Sequence, residues 1–145
     1  MVAAKPSILV PVDFSPTSLK ALRKAAEFAE RMGASLTLLH VRPLSDVRAA
    51  IAEGREDLLE GPPRALAPEM KRHYARRLAA LAARSRVAGT RLVSGRASRE
   101  ILRAAKGFDL VVMGRTGRGG LSGLLGGTTT KVLAAAPVSV AVVPA

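Results

Sequence analysis

The chain has 145 residues, the length of one ordinary domain, and we expect residues 1–145 to form a single α/β domain. It contains no cysteine and two well-separated histidines, which excludes disulfides and thiolate metal sites and disfavours a zinc site. The net charge is +12, but the basic residues are spread over all the predicted helices without a recognisable nucleic-acid-binding motif. A solvated basic surface is therefore favoured over a nucleic-acid partner.

Hydrophobic residues make up 48% of the chain but aromatic residues only 3%, which predicts a core of Ala, Val, Leu and Ile where helices pack on a sheet. No apolar run approaches the roughly 18 residues that span a bilayer, and no signal segment precedes Asp13. We therefore expect a cytoplasmic protein without membrane association. The absence of Asn, Gln and Cys is typical of hyperthermophilic proteins and predicts a thermophilic, very stable protein.

The first predicted element is an apolar strand over residues 7–12, typical of a strand buried on both faces. Ser15 and Pro16 then form a helix cap followed by proline at the first helical position, and Gly33 ends the helix. The spacing of three and four predicts one core-facing stripe on this helix, formed by Leu19, Leu22, Ala26, Ala29 and Met32. A second strand follows over residues 36–41, which completes a βαβ unit with parallel strands.

Residues 42–68 lack clear periodicity and are interrupted by proline and glycine, which predicts a variable flap with a short helix around residues 46–59. A second long helix is predicted over residues 68–86, and a short polar strand over residues 91–94 is suited to a sheet edge. A third helix runs from about Ser98 to Gly107. The predicted core positions of these two helices are Met70, Tyr74, Leu78, Leu81, Ile101, Leu102 and Ala105.

The chain ends with an apolar strand over residues 110–113, a glycine-rich loop, a helix over residues 128–135, and a strand from Val138 to Val143. Five strands alternating with four helices predict an α/β fold, a doubly wound five-stranded parallel sheet with helices on both faces. The first and fourth strands are the most uniformly apolar and should be central neighbours, which gives the strand order 3-2-1-4-5. In such sheets, ligands bind beyond the carboxyl ends of the strands where the order reverses.

The loop from Gly114 to Thr130 has 7 glycines within residues 114–127 and leads from a buried strand into a helix. Glycine lets backbone amides approach an anion, and a helix start adds unpaired N–H groups and a positive dipole end. Phosphate binding fits this pattern, and so does a surface loop with a threonine cap. The chain contains no Gly-Lys-Ser/Thr sequence, which disfavours a Walker-type nucleotidase, and Gly117-x-Gly119-x-x-Ser122 lacks the third glycine of the dinucleotide fingerprint.

Three motifs in the expected order make the chain resemble the universal stress protein family. They are Val10-Pro11-Val12-Asp13-Phe14-Ser15, Leu38-Leu39-His40-Val41, and the spacing Gly114-x2-Gly117-x9-Gly127-Thr128. The resemblance covers essentially the whole chain, and the glycine spacing is the signature of the ATP-binding branch of that family.

The resemblance implies an ATP pocket at the crevice where the first and fourth strands end, with Mg²⁺ commonly accompanying the phosphates. Asp13 and the backbone of Pro11 and Val12 would hold the adenosine part, with Val41 packing on the adenine. Met113 and Gly114 would line the ribose end, and Gly117 and Gly127 to Thr129 would take the phosphates. From chemistry alone, Asp13 can accept hydrogen bonds from an amine or a ribose hydroxyl, or serve as a cap near the first helix.

Arg115 and Arg118 are not required by the signature and stay outside the predicted binding set. His40 is predicted to pack at a strand end, and His73 is predicted to be solvated.

Family members resembling this chain commonly form homodimers through their last strand, and an apolar edge from Val138 to Val143 would invite such pairing. The favoured function is a nucleotide-binding regulatory or stress-response protein.

The alternatives are a slow ATPase or ATP-dependent phosphotransferase, a basic nucleic-acid-binding protein, and a flavodoxin-like or receiver domain. No general base is evident near a γ-phosphate, so catalysis is not expected beyond weak hydrolysis. The receiver domain needs clustered acidic residues after the first strand, where only Asp13 stands, and no aromatic platform flanks the loop to stack on a flavin.

Overall fold

The structure, a computed structural model, describes residues 4–43, 68–85, 87–116 and 125–145. Residues 44–67 of the predicted flap, with its predicted short helix, lie outside the described residues, as do Gly117 and Arg118. The strands are β1 Ser7–Pro11, β2 Ser35–Pro43, β3 Gly89–Gly95, β4 Leu110–Gly114 and β5 Ser139–Val143. The helices are α1 Pro16–Met32, α2 Pro68–Ser85, α3 Ala97–Ala105 and α4 Gly127–Ala135.

The five strands form one parallel sheet in the order β3-β2-β1-β4-β5, which confirms the predicted topology. β1 is central and pairs with β2 on one side and with β4 on the other. The pairing of Leu9 with Val111 places the end of β1 beside the end of β4. The chain therefore leaves the sheet at Asp13 and at Gly114 in the same crevice, where the strand order reverses.

Two hydrophobic cores lie on opposite faces of this sheet, because successive side chains along a strand point to opposite faces. Ile8, Val10 and Leu38 pack with α1 and α2 on one face. Leu9, Leu39 and Val111 alternate with them and pack with α3 and α4 on the other face. The predicted doubly wound arrangement is thus confirmed, and each face has its own pair of helices.

Helix α1 begins as predicted but packs differently. The side chain of Ser15 accepts a hydrogen bond from the Ser18 backbone N–H at 3.2 Å, and Pro16 takes the first helical position. The predicted stripe is wrong at its end, because Met32 is 49% exposed. The buried positions of the helix are Ser18, Ala21, Leu22 and Ala25. Small side chains let α1 approach the sheet closely, so burial follows contact with the strands and not hydrophobicity alone.

Gly33 ends α1 in the left-handed conformation, with φ 66° and ψ 29°. An added Cβ would meet no atom within 4 Å, so only the backbone conformation disfavours alanine there. We expect Gly33→Ala to lower the free energy of unfolding by about 1–2 kcal/mol, measured by chemical denaturation. Gly107→Ala is the matched control, since its φ is not positive and its Cβ would make only an ordinary 3.8 Å contact. Equal stabilities of the two variants would contradict the explanation.

Strand β5 is confirmed as an edge of the sheet, paired with β4 on one side. The edge position of β3 is confirmed in the same way. Pairing of β5 with a second copy of the chain stays a prediction. In the part of the chain that the structure describes, no helix combines the length and hydrophobicity that crossing a membrane requires.

Candidate functional site

A cavity of about 380 Å³ lies at the carboxyl ends of β1, β2 and β4, in the crevice where the strand order reverses. Its volume is within the range of pockets that hold small molecules. Nine of the ten residues predicted for the binding site line it: Pro11, Val12, Asp13, Val41, Met113, Gly114, Gly127, Thr128 and Thr129. The tenth, Gly117, lies outside the described residues. The fold thus brings together side chains that are up to 118 positions apart, from Pro11 to Thr129.

Asp13 occupies a tight turn between β1 and α1. One of its carboxylate oxygens accepts a hydrogen bond from the Ser15 backbone N–H at 3.0 Å, and its own N–H donates to the Ser18 hydroxyl at 3.3 Å. The half-buried side chain also lines the cavity. A carboxylate offers about four acceptor positions and can therefore accept several hydrogen bonds at once. The capping role and a binding role for Asp13 are therefore compatible.

The apolar part of the cavity lies on the face that carries α3 and α4. Val41 is 8% exposed and Met113 5% exposed, and both belong to the core cluster that includes Ile101 of α3. Ala97 and Ile101 complete this wall. The surface is suited to the flat, apolar face of a ring, with polar groups of neighbouring strand ends at its rim.

Gly114 ends β4 where helix α1 crosses close above it. A Cβ at Gly114 would lie 2.6 Å from Cγ2 of Thr17 and 3.2 Å from the Thr17 carbonyl carbon and oxygen. The Gly114 carbonyl oxygen accepts a hydrogen bond from the buried Thr129 hydroxyl at 2.9 Å. Gly114 therefore has a packing role in addition to its place on the cavity wall, and Thr129 ties the start of α4 to the end of β4.

The first turn of α4 presents backbone donors to the cavity. Gly126 is the N-cap, and its own N–H donates a hydrogen bond to the Arg115 carbonyl oxygen at 2.8 Å. The N–H groups of Gly127, Thr128 and Thr129 have no acceptor within the helix, since a helix leaves its first N–H groups unpaired, and the N-cap, a glycine, supplies no side-chain acceptor. All three residues line the cavity. Together with the positive end of the helix dipole, they form a local environment that favours an anion.

The three threonines in the first turn of α4 make different contacts. The Thr129 hydroxyl donates to Gly114, and the Thr130 hydroxyl donates back to the Gly126 carbonyl oxygen at 3.0 Å. Any contact of Thr129 with an anion would therefore use its backbone N–H. Thr128 lines the cavity.

An aromatic cluster on the opposite side of the cavity was not predicted. Phe14, His40 and Tyr74 line the cavity, with ring centroids 4.8 Å apart for Phe14 and His40 and 5.0 Å apart for His40 and Tyr74. The guanidinium of Arg77 lies 3.9 Å from the Phe14 ring centroid. His40 is buried at a strand end, as predicted, but it also contributes to the cavity, while His73 is exposed as predicted.

Phe14 and His40 stand in two of the quoted motifs, but no single motif unites the cluster, because its members come from the β1–α1 turn, from β2 and from α2. One signal in the sequence indicated a residue on this side of the cavity. His40 must lie on the opposite face of the sheet from Val41, because successive strand residues alternate between the two faces.

The model of the universal stress protein family matches residues 6–144. The chain belongs to the universal stress protein family. Among proteins with curated functions, none matches this sequence significantly.

Several solved structures share the fold over nearly the whole chain. The universal stress protein UspA from Lactobacillus plantarum has 28% sequence identity and a TM-score of 0.71, with 98% of this chain and 99% of that chain covered. The hypothetical protein MJ0577 has 24% identity and a TM-score of 0.76, over 97% of this chain and 96% of that chain. A universal stress protein in complex with cAMP has 20% identity and a TM-score of 0.63, over 97% and 98%.

Within the described ranges, no group of three or more His, Cys, Asp and Glu side chains is placed to hold a metal ion. The polar chemistry of the described cavity consists of one carboxylate, backbone donors, hydroxyl groups, one histidine and one arginine. This set can bind and orient a polar, anionic ligand.

Proposed function

We propose that this universal stress protein binds an adenine nucleotide, with ATP as the first candidate, and acts as a regulatory nucleotide-binding protein of the stress response. The observation that carries the proposal is the convergence, in one cavity, of a carboxylate at Asp13, an apolar wall at Val41 and Met113, and the backbone donors that begin α4. These three features suit an adenosine hydrogen-bond donor, a purine face and a phosphate chain, respectively. A structural relative that binds cAMP supports the ligand class.

In the proposed complex, the adenine lies against Val41 and Met113 while Asp13 accepts a hydrogen bond from an amine or a ribose hydroxyl. The phosphates extend toward Gly127, Thr128 and Thr129, where backbone N–H groups donate to their oxygens. Gly117, which the family signature contains, is proposed to contribute to the same end. Mg²⁺ would be bound mainly through the phosphate oxygens and water, as is usual for nucleotide-bound Mg²⁺.

Asp13→Ala tests the adenosine end of this site. We expect isothermal titration calorimetry with nucleotide-stripped protein, ATP and Mg²⁺ to detect binding to the native chain, and Asp13→Ala to weaken it about tenfold or more, because a charged hydrogen-bond acceptor is lost. Asp13→Asn keeps an oxygen that can accept the Ser15 N–H but removes the charge. It therefore distinguishes an effect on the local turn from the loss of a charged contact with the ligand. Glu30→Ala on α1 is a control that removes a carboxylate outside the cavity and should leave the affinity unchanged.

The chain provides its own reporter of where the ligand binds. It has one tyrosine and no tryptophan, and that tyrosine, Tyr74, lines the cavity. ATP that enters the cavity should change the tyrosine emission with the same midpoint as the calorimetric titration. Absence of binding at millimolar ATP would contradict the proposed function, and binding without any change at Tyr74 or any effect of Asp13→Ala would place the nucleotide elsewhere.

A further inference from the structure

The side of the cavity that carries the aromatic cluster has no assigned partner in the proposed ATP complex. Val41 and Met113 pack with α3 and α4, and the phosphate end is the start of α4, so the proposed nucleotide occupies the α3/α4 face of the crevice. Tyr74 and Arg77 belong to α2, which packs with α1 on the opposite face. The cavity therefore continues past the carboxyl ends of the strands to the side of α2. This second part of the cavity is lined by aromatic rings and an arginine.

Phe14 is held in a rare backbone conformation at the entrance to this second part. Its φ is 63°, and no other non-glycine residue in the described ranges has a positive φ. The hydrogen bond from the Ser15 N–H to the Asp13 carboxylate spans Phe14 and holds the turn. A bulky residue in the left-handed region is strained, and such strain persists where the position of the side chain matters. Here the strained turn places the ring of Phe14 on the cavity wall.

The ring of Phe14 has a rigid support. It contacts the His40 ring at 4.8 Å, and His40 is fixed by a 2.7 Å hydrogen bond between its Nδ1 and the Val12 carbonyl oxygen. Because a carbonyl oxygen only accepts, Nδ1 carries the proton. Tyr74 stacks on His40 at 5.0 Å, lies 6.5 Å from the Phe14 ring centroid, and carries the Arg42 guanidinium 5.2 Å from its own centroid. The three rings thus form a fixed platform and not a set of independent side chains.

Arg77 lies on this platform with its guanidinium 3.9 Å from the Phe14 ring centroid. It is exposed and lines the cavity, and neither ion pair found among the described residues involves it. A stacked guanidinium presents its N–H groups in its own plane, where they match two oxygens of a phosphate or carboxylate. Because the Phe14 ring already holds the guanidinium at 3.9 Å, less conformational entropy is lost when an oxyanion binds than for an arginine without such a contact.

We propose that Arg77, stacked on Phe14, forms a second oxyanion subsite that binds a phosphoryl group on the face of the sheet opposite to the start of α4. The adenosine position rests on the proposed function, whereas phosphate binding at Arg77 does not. Asp13 also faces this cavity and disfavours an anion in its immediate vicinity, so the subsite lies on the Arg77 side of Phe14. The phosphoryl group belongs either to the bound nucleotide, as a second group away from its 5′ end, or to free inorganic phosphate.

The test compares AMP, adenosine 3′,5′-bisphosphate, and AMP with added inorganic phosphate, each titrated calorimetrically into the native chain, Arg77→Met, Phe14→Leu and Arg76→Met. Methionine keeps an unbranched stem over the Phe14 ring and removes the charge, whereas leucine at position 14 removes the aromatic platform. Arg76 is the matched control, because it is exposed on the same helix but does not line the cavity. Thermal melting checks that all variants are folded.

We expect a second phosphoryl group to raise the affinity of the native chain about tenfold or more. This gain should disappear in Arg77→Met, shrink in Phe14→Leu and persist in Arg76→Met. A gain with the bisphosphate alone identifies a group on the nucleotide, and phosphate binding that depends on Arg77 identifies the free anion. Either result supports the subsite.

The proposal is overturned if neither the bisphosphate nor inorganic phosphate shows a gain that depends on Arg77, or if Arg76→Met loses as much as Arg77→Met, since general surface charge would then explain the effect. If AMP and ATP do not bind at all, the proposed function fails on its own. Phosphorus NMR of inorganic phosphate with the native chain and the two methionine variants still decides the subsite in that case.

Discussion

Replacing Gly114 by alanine should lower the free energy of unfolding by about 3 kcal/mol, the upper part of the range for overpacked sites. The added Cβ would lie 2.6 Å from Thr17 Cγ2, a separation that real side chains essentially never show, and 3.2 Å from the Thr17 backbone. Relief requires movement of the first turn of α1 away from the end of β4. That turn is fixed by the Ser15 cap, so the strain cannot be relieved cheaply.

Chemical denaturation of Gly114→Ala, Thr17→Ser and the double variant tests this explanation. Thr17→Ser removes only the methyl group that makes the closest contact, so the double variant should recover part of the lost stability, and the contacts with the Thr17 backbone account for the remainder. Gly127→Ala is the control at a cavity-lining glycine where an added Cβ meets no atom within 4 Å. A Gly114→Ala variant as stable as the native chain, or no coupling between the two positions, would contradict the packing role.

The packing of Gly114 against Thr17 is a role that the glycine-rich sequence does not reveal. Gly114 belongs to the family signature, and it was predicted to line the ribose end of a bound nucleotide. The approach of Thr17 gives a second reason for glycine at this position, and only the folded chain places residues 17 and 114 together. In the same way, the Thr129 hydroxyl donates a hydrogen bond to the Gly114 carbonyl oxygen, 15 positions earlier in the chain. The sequence does not indicate this contact.

The fold was predictable because its strands are short apolar runs and its helices carry clear start and stop residues. The interior of β1 and that of β4 are buried on both faces, which is what their uninterrupted apolar sequences indicate. Ser15, Pro16 and Gly33 fixed the ends of α1. The face of α1 was less predictable, because close approach to the sheet favours Ser18, Ala21 and Ala25, which carry little hydrophobic signal, over Met32.

The cavity was predictable where its residues directly follow strands in the sequence, as Asp13 does after β1. The aromatic side of the cavity was not, because Tyr74 sits on a helix face that also carries the core residue Leu78 and was interpreted as core. Its contact with His40 depends on how α2 crosses the end of β2, and no local pattern encodes that crossing.

Substitutions at Gly127 should separate the proposed phosphate contacts from the fold. Gly127 is the first residue of α4, is exposed, and has open space where a Cβ would be. Gly127→Ala keeps the backbone N–H and should bind ATP as the native chain does. Gly127→Trp places an indole across the cavity entrance and should weaken binding about a hundredfold or more, while thermal melting shows an intact fold.

Gly127→Pro tests the backbone N–H of this residue separately from the fold. It removes that N–H at a position where proline suits the helix. The preceding Gly126 has φ −67° and ψ 155°, the extended conformation that a residue before proline prefers, and the first helical position favours proline. If the N–H groups of this turn hold the phosphates, the proline variant should melt like the native chain and bind ATP about tenfold more weakly in calorimetric titration. Unchanged ATP affinity in both Gly127→Pro and Gly127→Trp would mean that the phosphates do not lie at the start of α4. Adenosine, which lacks phosphates, should bind equally to the native, alanine and proline chains, because its contacts at Asp13 and Val41 do not involve this turn.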